Sequence, residues 1–214
     1  MEAKEFTVTL EKNPSISIKV ITGHFTTSNA HTNYFVDVNR LKSNAKIAQQ
    51  VARELAIPFM ASTPVDTIVC MEKTEVIGAF FAEELSREGI ASINSGNEIH
   101  VVSPVTNVNG NLTFQDNMVN LISGKNIILL VTSVSSGKTV STAIECIVYY
   151  GGRLTAVSAL FMSSSEKLKG EAHGLFTSDD IPGYKLYNTA DCQMCKNGVK
   201  LDAIINSGGY KKIE

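Results

Sequence analysis

Between residues 66 and 161 the sequence alternates short, wholly apolar runs with stretches whose apolar residues recur every three to four positions. This alternation restricts the chain more than any other feature. The spacing predicts strands over 66–71, 98–102, 126–131 and 154–161, with helices over 75–87 and 139–150. An apolar strand with no polar side needs cover on both faces, which a parallel sheet between helices supplies. Binding sites on such sheets open at the carboxyl ends of the strands.

Ahead of this series, Phe6, Val8 and Leu10, then Ile16, Ile18 and Val20, alternate with polar residues around Asn13-Pro14-Ser15. That is the pattern of an antiparallel hairpin. A polar stretch over 26–32 and a short strand over 34–38 follow. Next comes a helix with Ile47, Val51, Ala52 and Leu55 on one face and Ser43 or Asn44 at its N-cap. From Ser163 onward the sequence is more polar and reads as loop.

Charge and hydropathy exclude several functions. The 19 Lys and Arg balance 21 Asp and Glu to a formal charge of −2, which argues against a nucleic-acid surface or a polybasic membrane anchor. With 43% apolar and 19% charged residues the chain has the composition of a folded domain. The longest apolar run, 127–131, falls far short of the ~20 residues that cross a bilayer, and residues 1–6 lack the apolar segment of a signal peptide. A cytoplasmic location is expected.

The strongest local signal is Ile127-Ile128-Leu129-Leu130-Val131-Thr132-Ser133-Val134-Ser135-Ser136-Gly137-Lys138-Thr139, a buried strand, a Ser/Gly turn and a helix start. Backbone amides, the hydroxyls of Ser135, Ser136 and Thr139, and the positive end of the helix converge there, a favourable seat for a phosphate. A Walker A loop would need glycine five residues before Gly137, where Thr132 stands.

This segment resembles the PRPP-binding loop of type I phosphoribosyltransferases, which bind phosphoribosyl pyrophosphate (PRPP): four apolar residues, two acidic, two apolar, two Ser/Thr, Gly, Gly or Lys, and Ser/Thr. Val131 and Thr132 stand at the acidic pair that in the family supports the ribose. A second segment, Gly23 through the Ser28-Asn29-Ala30-His31-Thr32-Asn33-Tyr34-Phe35-Val36-Asp37 stretch and on to Arg40-Leu41, resembles the hood of orotate phosphoribosyltransferases, with Asn29 in place of a glycine. Asn tolerates the left-handed turn a glycine would make there. A third, Cys192-Gln193-Met194-Cys195-Lys196-Asn197-Gly198, is similar to the Cys-x-x-Cys-x-x-Gly tail of some bacterial and archaeal members.

The resemblance implies a Rossmann-like α/β fold with a parallel sheet flanked by helices, an N-terminal β-hairpin and hood, and an irregular C-terminal tail. It divides one compact unit into hairpin and hood over 1–42, core over 43–165, and an extension over 166–214 packing on the hood. It further implies 5′-phosphate binding by Ser133, Ser135, Ser136, Gly137, Lys138 and Thr139, base contacts from Tyr34 and Phe35, Mg²⁺ arriving with PRPP, and a homodimer.

Three departures bear on activity. At the pyrophosphate loop Thr74 and Glu75 stand where orotate enzymes have Lys and Gly, leaving Glu72, Lys73 and Glu75 as candidate catalytic groups. Residues 101–123 contain no Lys, Arg or His to meet a leaving pyrophosphate, and His100 beside them reads as an ordinary strand residue. After the last strand Ser163-Ser164-Ser165 replaces an Asp-Arg pair that grips orotate. Two functions are expected from this: a phosphoribosyltransferase-like protein binding PRPP or a nucleoside 5′-monophosphate and transferring phosphoribose to a base, or a non-catalytic sensor of the same ligands.

Of four cysteines, Cys70 and Cys146 sit in apolar patterns and read as core. Cys192 and Cys195 supply half of a zinc site; the other half would come from Cys70, Cys146, His24, His31, His100 or His173, which spacing does not bring together. A tight structural turn without metal is the expectation.

Overall fold

The computed structural model describes residues 4–88, 92–109, 111–163, 171–206 and 208–213. In chain order the elements are β1 (Glu5–Thr9), β2 (Ser17–Thr26), β3 (Ala30–Asp37), α1 (Asn39–Ser43), α2 (Ala45–Ala56), β4 (Thr67–Cys70), α3 (Glu75–Ser86), β5 (His100–Val102), β6 (Val105–Thr106), β7 (Leu112–Thr113) and β8 (Asn126–Val134). There follow α4 (Lys138–Tyr149), β9 (Arg153–Met162), β10 (Glu171–Thr177), β11 (Leu186–Asn188), α5 (Gln193–Lys196), β12 (Ala203–Asn206) and β13 (Gly209–Lys212).

The core sheet has the order β10-β9-β8-β4-β5, every pairing parallel. Its apolar strands are covered on both sides, as their composition requires. Ile68, Ile128, Leu130 and Leu160 face Val51, Leu55, Ile77 and Phe81 of α2 and α3 in one cluster. Val69, Leu129, Val131 and Val157 pack with Val140, Ala143 and Ile147 of α4 in the other. Because the chain starts this sheet at β4 and then places β5 on one side and β8 on the other, the order reverses between β4 and β8. The crevice outside the carboxyl ends of these two strands is where doubly wound sheets hold ligands.

The N-terminal hairpin forms as its alternation predicts, with Val8 opposite Ile18. Asn44 caps α2, its side-chain oxygen accepting from the Ile47 amide at 3.1 Å.

Other elements differ from the sequence reading, each for a physical reason. β8 runs on to Val134, because Ser133 and Val134 continue the ladder with Phe161 and Met162. The polar stretch over 26–32 is mostly strand: β2 reaches Thr26 and β3 begins at Ala30, with His24, His31 and Thr32 buried. The turn between them does not use a left-handed Asn29. Among the described residues the only non-glycines with positive φ are Glu72 and Lys73. Instead Thr27 Oγ1 accepts from the Asn29 and Ala30 amides at 3.3 and 3.0 Å, a side chain standing in for a backbone turn. The tail is not irregular throughout. Glu171–Thr177 adds a fifth parallel strand at the edge of the core sheet, concealed in the sequence because only Phe176 of its residues is fully buried. β11, β12 and β13 join β2 and β3 in a second, largely antiparallel sheet of order β11-β3-β2-β12-β13. Among the described residues no helix is long and apolar enough to cross a membrane.

Candidate functional site

The turn from β8 into α4 is local chemistry carried out by four residues. Gly137 takes φ +77°, a left-handed conformation that costs glycine nothing and reverses the chain sharply enough for α4 to start at the sheet's end. Ser135 and Ser136 precede it and Thr139 lies in the first turn of the helix. The amides of Ser135, Ser136 and Gly137 donate to no other protein group among the described residues. The positive end of a 12-residue helix lies beside them, so partial positive charge gathers at this turn.

The turn opens on a cavity of about 680 Å³. Ser133, Ser135, Ser136 and Thr139 line one wall together with Thr132 and Glu72; Tyr34, Phe35 and Asp37 of β3 line the opposite wall, and Tyr184, Ile204 and Asn206 of the tail complete it. Gly137 and Lys138 are absent from the lining, the first shaping the turn and the second lying exposed. Val131 is buried under α4, whereas Thr132 reaches the cavity. Phe35 packs against Tyr210 at 4.9 Å between ring centres, and Tyr34 stacks on Tyr184 at 6.3 Å while its hydroxyl donates to the Pro182 carbonyl.

Of the three candidate catalytic residues only Glu72 reaches this cavity. Lys73 is exposed, and Glu75 is exposed and accepts a 2.8 Å hydrogen bond from Ser103 Oγ. Ser164 and Ser165 of the serine run, and Gly110 of the cation-free stretch, lie outside the described residues. His100 begins β5 opposite the first residue of β4, at the far end of the sheet from the cavity.

Glu72 gets there through strain. Glu72 and Lys73 take φ of 56° and 65°, consecutive left-handed residues that each cost on the order of 1 kcal/mol without glycine. The cost is offset by a dense set of bonds. Thr74 Oγ1 donates to the Met71 and Leu130 carbonyls, tying the turn to both strands. The Glu72 carbonyl accepts from Lys42 Nζ at 3.0 Å and from Thr132 Oγ1 at 3.1 Å, and Glu72 Oε2 accepts from the Thr132 amide at 3.1 Å. The kinked turn after β4 therefore lays a carboxylate across the end of β8, beside Thr132.

Burial pushes the Glu72 carboxyl up from its ordinary range, opposed by the Thr132 amide and the Lys42 charge. Burial likewise pushes the Lys42 ammonium down, opposed by Glu72. A carboxyl with a raised folded-state value favours the native state most when protonated, so its contribution is present at acid pH and lost as pH rises through the raised value. Glu72→Gln, which keeps an acceptor for the Thr132 amide, is thus expected to melt higher than the parent at neutral pH. The gap should narrow as pH falls toward 4.5, the ordinary carboxylate value. A gap that stays constant across this range in calorimetry contradicts the assignment.

Spacing did not reveal Lys42, Tyr184, Ile204 or Asn206. Lys42 follows the Arg40-Leu41 lead and is buried beneath the site, a position its charge gives no hint of. The tail residues come from stretches too polar to read as sheet. A separate cluster, His24, His31, Cys192 and Cys195, lies on the hood outside the cavity lining.

Several solved structures share this architecture. Orotate phosphoribosyltransferase of Mycobacterium tuberculosis, solved with Fe(III) dicitrate, is 14% identical with a TM-score of 0.52, over 75% of this chain and 90% of that one. A phosphoribosyltransferase of Corynebacterium diphtheriae is 16% identical with a TM-score of 0.51, over 75% and 89%. UMP synthase of Leishmania donovani is 19% identical with a TM-score of 0.55, and the match takes 75% of this chain but 34% of that longer one. No protein-family model and no curated protein sequence matches the chain. The parallel sheet reversing at β4 and β8, the helix-starting turn at its mouth and these likenesses converge: the chain has the fold of the type I phosphoribosyltransferases.

Proposed function

We propose that the chain binds a ribose 5′-phosphate compound, PRPP or a nucleoside 5′-monophosphate, in the cavity at the carboxyl ends of β4 and β8. One observation carries this reading: Ser135, Ser136 and Thr139 line the cavity at the start of α4, where unpaired amides and the helix dipole favour a dianion. The phosphate sits on this turn. The ribose hydroxyls face Glu72 and Thr132, where Glu72 supplies from the neighbouring strand a carboxylate that β8 lacks. The base lies toward Phe35, Tyr184 and Ile204.

Among the described residues lining the cavity there is no Lys or Arg, while Glu72 and Asp37 both line it. A diphosphate would meet like charge unless Mg²⁺ accompanies it. This favours the nucleoside monophosphate as ligand and a sensing, non-catalytic role. The carboxylate beside Thr132 favours the second reading, phosphoribosyl transfer with Mg²⁺-PRPP, since a charge there supports an oxocarbenium-like transition state.

The test is a thermal-shift series with nucleoside monophosphates, PRPP and Mg²⁺, followed by a pyrophosphate-release assay with free bases. A ligand at 100 times its Kd stabilises by about 2.7 kcal/mol. Binding without release supports the sensor, and release with one base supports transfer. No shift with any 5′-phosphate overturns both.

A further inference from the structure

Three buried side chains of the hood, His24, His31 and Cys192, stand close to one another and to the exposed Cys195. We propose that His24 Nε2, His31 Nδ1, Cys192 Sγ and Cys195 Sγ bind a structural Zn²⁺ that fixes the C-terminal segment to the hood sheet. These atoms all lie within 4.8 Å of one another.

Four of the six separations between these atoms match the edges of a tetrahedron. With Zn–N of ~2.0–2.1 Å and Zn–S of ~2.3 Å, tetrahedral angles put two nitrogens about 3.3 Å apart and a nitrogen and a sulfur about 3.5 Å apart. The structure has 3.2 Å between His24 Nε2 and His31 Nδ1. It has 3.4 Å from His24 Nε2 to Cys192 Sγ, 3.7 Å from His24 Nε2 to Cys195 Sγ, and 3.4 Å from His31 Nδ1 to Cys195 Sγ. Both cysteines are free thiols rather than a disulfide.

The surroundings point the same way. His24 Nδ1 lies 2.9 Å from the Val199 carbonyl, which only accepts, so this nitrogen carries the proton and Nε2 presents its lone pair to the cluster. Orientation of a ligating imidazole by a carbonyl on its other nitrogen is the usual outer support of a zinc ligand. His24 reaches the cluster because the ladder between β2 and β3 shifts register between Thr22 and Phe25. Such a bulge re-aims a side chain. A Cβ at Gly23, within that bulge, would fall 2.8 Å from the Phe25 ring and 2.9 Å from Asp202 Oδ2, so the bulge is packed too closely for any side chain at 23. Asp202 in turn accepts from the His24 amide at 2.7 Å. Four protein ligands with no open position make a structural rather than a catalytic site, and a two-nitrogen, two-sulfur set selects zinc.

On entry of Zn²⁺ the two thiols give up their protons to solvent and bind as thiolates, with no change of oxidation state. The ion then joins β2, β3 and the segment leading to β12 and β13, whose residues Ile204, Asn206 and Gly209 line the ligand cavity.

The experiment is metal analysis of the full chain purified under reducing conditions without added nucleotide, together with Co²⁺ exchange. About one zinc per chain is expected, and Co²⁺ should give the intense visible bands of a tetrahedral site with a thiolate charge-transfer band. A strong chelator should lower the Tm, with recovery on adding zinc back. Cys192→Ser with Cys195→Ser should lose the zinc, whereas Cys70→Ser, at a buried cysteine outside the cluster, should keep it. Should the double variant fail to fold, the Co²⁺ spectrum of the parent decides. The proposal is overturned by a parent without stoichiometric zinc and without a tetrahedral Co²⁺ spectrum. Iron or copper in place of zinc, a Cys192–Cys195 disulfide, or zinc retained by the double variant also overturns it.

Discussion

Gly137→Val is expected to weaken binding of a nucleoside 5′-monophosphate by at least about tenfold while leaving the protein folded. Gly137 takes φ +77°, and a β-branched residue is a genuine outlier in that region, so the turn must change shape to admit it. The strain alone is on the order of 1–2 kcal/mol, and since about 1.4 kcal/mol is tenfold in an equilibrium constant, even partial transfer of it to the bound state meets the expectation. The larger contribution is geometric, because a change of conformation at residue 137 redirects the amides of the turn relative to the start of α4. Gly137→Asn provides the control, since Asn enters this conformation more readily than other side chains, and it should retain most of the affinity. Titration calorimetry decides the matter. Unchanged affinity in the valine variant would place the anion seat elsewhere, and equal loss in both variants would point to the absent Cβ rather than the backbone conformation.

Lys42→Met is expected to destabilise the protein by about 2–3 kcal/mol, the range for leaving buried acceptors without their charged donor. For a chain of this size that is a fall in Tm of roughly 4–12 °C. The ammonium donates to the Glu72 carbonyl and to Thr132 Oγ1, and its charge opposes the burial of the Glu72 carboxylate. Methionine fills similar volume and satisfies none of these. The coupling is the sharper readout. In the double variant Lys42→Met with Glu72→Gln no buried carboxylate remains to lose its counter-charge, so the double change should cost less than the sum of the two single ones. Additive effects in urea titrations would show that Lys42 and Glu72 do not act as a pair.

What was legible in the sequence follows from where each determinant lies. The core strands β4, β8 and β9 could be read because a strand buried on both faces must be apolar throughout, and the turn at 135–139 because its Gly and hydroxyl residues are local instructions. His31 fell in a stretch read as polar because polarity usually means exposure, and the sulfur partner of His24 lies 168 positions away in sequence. The path of Glu72 was illegible for a related reason: two non-glycine residues are held left-handed by bonds from Lys42 and Thr132, so tertiary contacts override local preference. β10 was hidden by its place at a sheet edge, where one apolar anchor, Phe176, suffices.

The cavity has one wall on each of two sheets, with the turn from Ser135 to Thr139 at the end of the parallel sheet and Phe35 and Ile204 on the antiparallel one. A molecule bound between them would contact both sheets at once, so its binding energy would add to what holds them together. By mass action, a ligand bound there would add to the stability of the folded state in proportion to the logarithm of its concentration once in excess of its Kd.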